Sequence, residues 1–132
     1  MSRTYTYKVI KSSWGIRVAL TARADGRDPL EGVAGSHRPT LEIEDGVNLS
    51  TEEKQQLDHG FACASDEVMK ACGSQAVTIV VESVFYVESD YQPEGLAVAM
   101  LRWLEEEFSL PRHDIPATFD RNANRYSFEW PM

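Results

Sequence analysis

The chain has 132 residues, 42% hydrophobic and 26% charged, which is long enough to bury a core without disulfide or metal staples. No apolar run approaches the ~18 residues of a membrane-spanning helix, so no membrane role is expected. Thirteen Lys and Arg against twenty-one Asp and Glu give a formal charge of −8; this repels phosphate backbones and anionic lipid, disfavours nucleic acid and suits a cationic partner better.

Met1 to Tyr7 lacks the continuous apolar stretch of a secretory signal, which makes the cytoplasm the default location. Tyr5, Tyr7 and Val9 alternate with Thr4, Thr6, Lys8 and Ile10, the period-two pattern of a strand rich in β-branched and aromatic residues. Lys11-Ser12-Ser13-Trp14-Gly15 reads as a turn. A second strand then sets Ile16, Val18, Leu20 and Ala22 against a solvated face of Arg17, Ala19, Thr21 and Arg23. Asp25 to Arg38, with Gly26, Pro29, Gly32 and Gly35, has no period and is expected to be a long surface loop. Pro39 to Glu44 resumes the alternation as a third strand, closed by Asp45-Gly46.

Ser50 and Glu53 have the spacing of a capping box. Behind them Leu57, Phe61, Ala64, Val68 and Cys72 form one apolar stripe that Gly73 ends. The only cysteines, Cys63 and Cys72, are nine residues apart; nine helical steps turn by about 900°, which sets them on opposite faces and forbids a mutual disulfide. Ala76 to Val81 is a two-sided apolar run typical of an interior strand, and Ser83 to Val87 either extends it or turns back. Asp90 or Gln92 is expected to cap a second helix that starts near Pro93 and Glu94. Its buried side is Ala97, Met100, Leu101, Leu104 and Phe108, with Glu94, Arg102, Glu105 and Glu106 facing water. The tail, with Ala117 to Asp120 and then Tyr126, Phe128 and Trp130, reads as a hairpin turned by Asn122 and Asn124. The expected fold is thus α+β in one domain over 1–132: a mixed sheet with two helices on one face, ordered β-β-β-α-β-α plus a C-terminal β-hairpin.

Gly15-Ile16-Arg17-Val18-Ala19-Leu20 is a strand preceded by glycine, and Leu41-Glu42-Ile43-Glu44-Asp45-Gly46-Val47 a strand with a glycine turn. Leu57-Asp58-His59-Gly60-Phe61 puts a glycine inside a helix ahead of the strand Ala76 to Val81. In this succession, from Gly15 to Phe108, the chain resembles the fourth domain of elongation factor G. That fold is shared with one domain of a small-subunit ribosomal protein and with several small-molecule kinases. The resemblance implies that Phe85-Tyr86-Val87-Glu88-Ser89-Asp90 lies near the tip of the domain, where the family carries a His with acidic residues and serines. This chain has no His there, and Ser12-Ser13-Trp14 replaces the family's glycine-rich basic loop. The G-x-x-x-x-G-K-[ST] loop of a GTPase is also missing, so the resemblance implies a fold and not an activity.

His59, Cys63 and Glu67 recur at helical spacing on the face opposite Leu57 and read as solvated residues, since no second His/Cys cluster completes a metal site. His113-Asp114, flanked by Arg112 and Glu129, has the composition of a base with an orienting carboxylate, but no nucleophile is identified beside it. Ser36-His37-Arg38 sets a His beside a cation in the long loop, a candidate for binding an anion. Asp25-Gly26-Arg27-Asp28 is too poor in oxygen ligands for calcium. Trp103 and Trp130 read as core or core edge; Trp14, in a turn, either anchors a partner or folds back on the sheet. Phe85, Tyr86 and Tyr91 surround an acidic turn and mark a binding surface.

No cofactor or metal is expected. The leading expectation is a small non-catalytic binding or accessory protein, of the immunity, resistance or interaction type, that contacts a protein or small-molecule ligand and is open to homodimerisation. Its binding candidates are Trp14, Phe85, Tyr86, Tyr91, His37 and Arg38. The alternatives are an enzyme using His113, Asp114 or His37 in a cleft, and a translation-associated factor.

Overall fold

A computed structural model describes residues 2–27, 38–73 and 75–131. The elements are β1 (Ser2–Ile10), β2 (Gly15–Arg27), β3 (Thr40–Ile43), α1 (Thr51–Cys72), β4 (Ala76–Tyr86), α2 (Glu94–Glu107), β5 (Ala117–Asp120) and β6 (Arg125–Phe128). A short 3-10 turn, Glu88–Asp90, precedes α2. The fold is the expected α+β, and no helix among the described residues is long and apolar enough to cross a membrane.

One sheet runs in the order β1-β2-β4-β3, and β5-β6 forms a separate ribbon. β2 is antiparallel to both β1 and β4, whereas β3 is parallel to β4. A parallel neighbour cannot be reached by a tight turn, so α1 serves as the crossover from β3 to β4. Alternation sorts the two faces: Ile16, Val18, Leu20 and Ala22 of β2 and Val77, Ile79 and Val81 of β4 are buried under the helices. Thr6, Lys8, Arg17, Ala19 and Phe85 lie on the open face.

Two strands differ from the sequence pattern. β2 continues through Asp25, Gly26 and Arg27, where the composition predicts the start of a loop, because they pair with Thr78, Val77 and Ala76 of the buried strand β4. Backbone pairing to an interior strand outweighs the poor strand propensity of Asp and Gly. β4 runs on to Tyr86 through a bulge in which Glu82 is the extra residue, between the pairs Ala22–Val81 and Thr21–Ser83.

α1 begins with the expected capping box: Ser50 Oγ accepts from the Glu53 N–H (3.1 Å), and Glu53 accepts from the Ser50 N–H (2.9 Å). α2 departs further from expectation. Its N-cap is Pro93, with no side-chain cap, so neither Asp90 nor Gln92 caps it. The helix is buried continuously from Gly95 through Glu105, including Arg102 and Glu105, which its period places outside. The sheet covers one side of α2 and α1 a second. At the closest crossing of the helices Gly60 lies directly against the Ala97 backbone, where a side chain has no room. Gly95 is likewise pressed onto Ile16, whose Cγ2 lies 2.7 Å from where a Cβ would stand.

The tail ribbon packs at the start of α2 and against the β1–β2 turn. Tyr126 of β6 is fully buried, and the Gln92 amide bonds its backbone in both directions: Nε2 donates to the Tyr126 carbonyl (2.7 Å) and Oε1 accepts from its N–H (2.8 Å). Asn124 takes φ +53° in the ribbon turn, the left-handed geometry expected of an Asn there.

Candidate functional site

Among the described residues, those proposed from sequence are not all gathered into one site. Trp14 is half-buried and meets Phe119 and Tyr126 edge-on, with ring centroids 5.8 and 5.2 Å apart. Its indole N–H donates to Asn124 Oδ1 (3.1 Å), and its carbonyl accepts from the Tyr126 hydroxyl (2.7 Å). Trp14 folds back, and the tail ribbon, not the sheet, is what it folds onto. Arg38 donates to Asp66 on α1 (2.7 Å). His37 lies outside the described residues.

Tyr86 and Tyr91 stack face to face at 3.6 Å and 8°. The Tyr91 hydroxyl donates to Glu53 Oε2 (2.5 Å), which ties the β4–α2 connection to the start of α1. Burial pushes the Glu53 carboxyl up, but donors from Ser50, Tyr91 and Tyr86 outweigh it and hold the group below the usual carboxylate range. Burial, and then the Glu53 charge, raise the pKa of Tyr91. Two of the three aromatics around the acidic turn therefore serve the fold. Phe85 does not; it points out of the open face and is 67% exposed.

His113 is not paired with Asp114, which is exposed. Its Nδ1 faces Glu105 Oε2 (2.6 Å) and its Nε2 faces Glu67 Oε1 (2.5 Å). Glu105 is also held by Arg102 Nη1 (2.8 Å) and by the His113 backbone N–H (2.6 Å). Desolvation would depress the imidazole, yet the bonds to Glu105 and Glu67 prevail and raise its pKa. With both ring nitrogens bonded to carboxylates, this constellation joins α1, α2 and the segment before β5. Glu67, expected to be solvated, belongs to it. His59 sits edge-on to Trp130 at 4.4 Å, and burial pushes the Cys63 thiol up, against thiolate formation. No group of three or more His, Cys, Asp or Glu suited to a metal occurs among the described residues.

What the open face does gather is an end with Phe85 at its centre. The three large apolar side chains exposed among the described residues are Ile10 (62%), Phe85 (67%) and Val87 (54%). They flank two adjoining clefts of about 200 and 160 Å³ that share Arg17 and Asp90. Lys8 and Arg17 stand opposite each other across β1 and β2, a like-charge cross-strand pair that costs stability. On the other side of Phe85 a trench of about 420 Å³ runs between Val47–Leu49 and the edge of β4. Arg17 was visible in the sequence on the solvated face of its strand, and Lys8 and Ile10 as alternating members of theirs; that the register of β1 on β2 and β4 on β2 brings them to Phe85 was not.

No protein-family model matches the chain, and no curated protein does. Among solved structures, one crystal structure of a protein from Thermus thermophilus is similar over 76% of this chain, at 14% identity and a TM-score of 0.46. This chain spans 14% of that protein's length. The likeness is weak and concerns fold alone.

Proposed function

We propose that this is a non-catalytic binding or accessory protein, and that it engages another protein through the Phe85 end of its open sheet face. The observation that supports this above others is the convergence of Ile10, Phe85 and Val87, exposed and apolar, around the charged residues Lys8, Arg17 and Asp90. An exposed aromatic within a polar rim has the anatomy of a protein contact, in which a few large side chains carry most of the energy. The two clefts that share Arg17 and Asp90 are smaller than the roughly 300–1,000 Å³ that enclose small molecules, and the larger trench of about 420 Å³ runs along a strand edge, a shape that suits an extended chain. The commitment of His113 to two carboxylates favours binding over a His-based reaction. Kinship with the fourth domain of elongation factor G is proposed at the level of the β-β-α-β-α order from β2 to α2, with a tip here that is apolar and has no His.

The test is a photoreactive residue placed at position 85 and, in parallel, at the exposed ribbon position 122, in the full chain within cells of its source. Discrete adducts from position 85 and none from 122 are expected; equal labelling from both positions overturns the proposal. Native mass of the adduct distinguishes a second copy of this chain from a different protein.

A further inference from the structure

We infer that the trench beside the C-terminal half of β4 takes up an extended, basic segment of the partner as an added strand, an inference that rests on the Phe85 end being the contact surface. β4 is eleven residues long and its neighbour β3 only four. Their ladder covers Thr78–Val81 and ends where the Glu44 N–H donates to the Val81 carbonyl (2.9 Å). Gly46, at φ +93°, then turns the chain out of line. From Glu82 to Tyr86, β4 keeps β2 on one side, yet on the other it makes no backbone bond among the described residues. Five residues at about 3.3 Å each leave some 17 Å of unpaired edge.

Natural sheets usually shorten, cover or charge such an edge. Here it is the inner strand of the sheet that is left bare, beside a trench of about 420 Å³ floored by Val47 to Leu49. A peptide laid there gains main-chain hydrogen bonds from β4, while its alternate side chains meet Phe85 above and Leu49 below; this is recognition by strand addition. The charge of the segment follows from the rim. Glu44 and Asp45 stand at one end, Glu82 within and Glu88 at the other, against Arg23, which bonds Glu44 (3.2 Å) and Glu82 (2.7 Å). No Lys or Arg lines the trench among the described residues. The balance is negative, as it is for the whole chain, so lysines or arginines on the added strand are favoured.

The experiment titrates the isotopically labelled full chain with the peptide acetyl-KVKTKV-amide, with its glutamate counterpart acetyl-EVETEV-amide, and with acetyl-KVKTKV-amide N-methylated at alternate residues. Amide shifts from Ser83 to Phe85, with slowed hydrogen exchange at the alternate amides that face the trench, are expected with the lysine peptide. The glutamate and N-methylated forms are expected to bind at least about tenfold more weakly, as the loss of one or two such interactions implies. Shifts confined to the outer edges of β1 or β3, no response of Glu82 to Tyr86 up to about 1 mM, or equal binding of the three peptides each overturn the inference. Failure here with adducts still formed from position 85 removes strand addition alone; strand addition without such adducts removes the wider reading instead.

Discussion

His113 carries the clearest pH signature of any single residue. Its pKa in the folded protein lies above the ordinary 6.5, so the stabilisation from Glu105 and Glu67 is complete below the unfolded value and is lost as pH rises through the raised one. Unfolding free energy is therefore expected to fall on going from mildly acidic to alkaline pH. In urea titrations across that range, His113→Gln should lose this slope and cost about 1–3 kcal/mol at the acidic end. A slope that survives the substitution assigns the effect elsewhere. Gly60 makes a prediction of a different kind, since the Ala97 backbone occupies the place of its missing side chain. Gly60→Ala gains helix propensity but must force α1 and α2 apart, and a net loss of about 2 kcal/mol or more is expected in a thermal or denaturant melt. Neither residue announces its role in the sequence. The helix motif around Gly60 is legible, but its partner across the crossing is not. Arg102 and Glu105 look solvated by period because charge ordinarily faces water; they are buried because Arg102 Nη1 pairs with Glu105 and the His113 backbone bonds both, although Arg102 Nε is left without a partner among the described residues.

At the scale of elements, α1 was legible almost to the residue, since its cap, stripe and terminating Gly73 are all local signals. The α2 boundary was legible and its cause was not. Gln92 looks like a cap in sequence, while in space its amide clamps the Tyr126 backbone, a contact with a residue 34 positions away. Gln92→Ala leaves a buried N–H and C=O unpaired and should cost about 2–3 kcal/mol in urea unfolding. Asp90→Ala, which loses only a 3.4 Å contact from the Gly15 N–H, should cost under about 1 kcal/mol; a larger loss would return the start of α2 to Asp90. Trp14 is instructive in the same way. A tryptophan in a Ser-rich turn reads equally as a partner anchor or as folded back on the sheet, but the ribbon it packs on lies more than 100 residues later in the chain, beyond the reach of any local pattern.

The whole molecule separates residues that hold the fold from residues that do not. Several charges are paired, as in Arg3 with Glu107, Arg23 with Glu82 and Arg102 with Glu105. Lys8 and Arg17 instead oppose each other, beside Ile10, Phe85 and Val87. The net charge of −8 was legible from composition, and it matches the acidic side of the Phe85 surface but not the basic side, a division that only the sheet register reveals. Since Phe85 is mostly exposed, Phe85→Ala should leave the stability of the purified protein within about 0.5 kcal/mol of the parent in a denaturant titration; a loss typical of a core aromatic, about 3 kcal/mol or more, would make it a structural residue. The most direct measurement of the central claim moves the photoreactive residue to position 87, beside Phe85, and compares adduct yield in the parent and in Phe85→Lys. Loss of the adducts with the fold intact is the predicted result, and an undiminished yield of the same adducts would contradict the assignment of this surface.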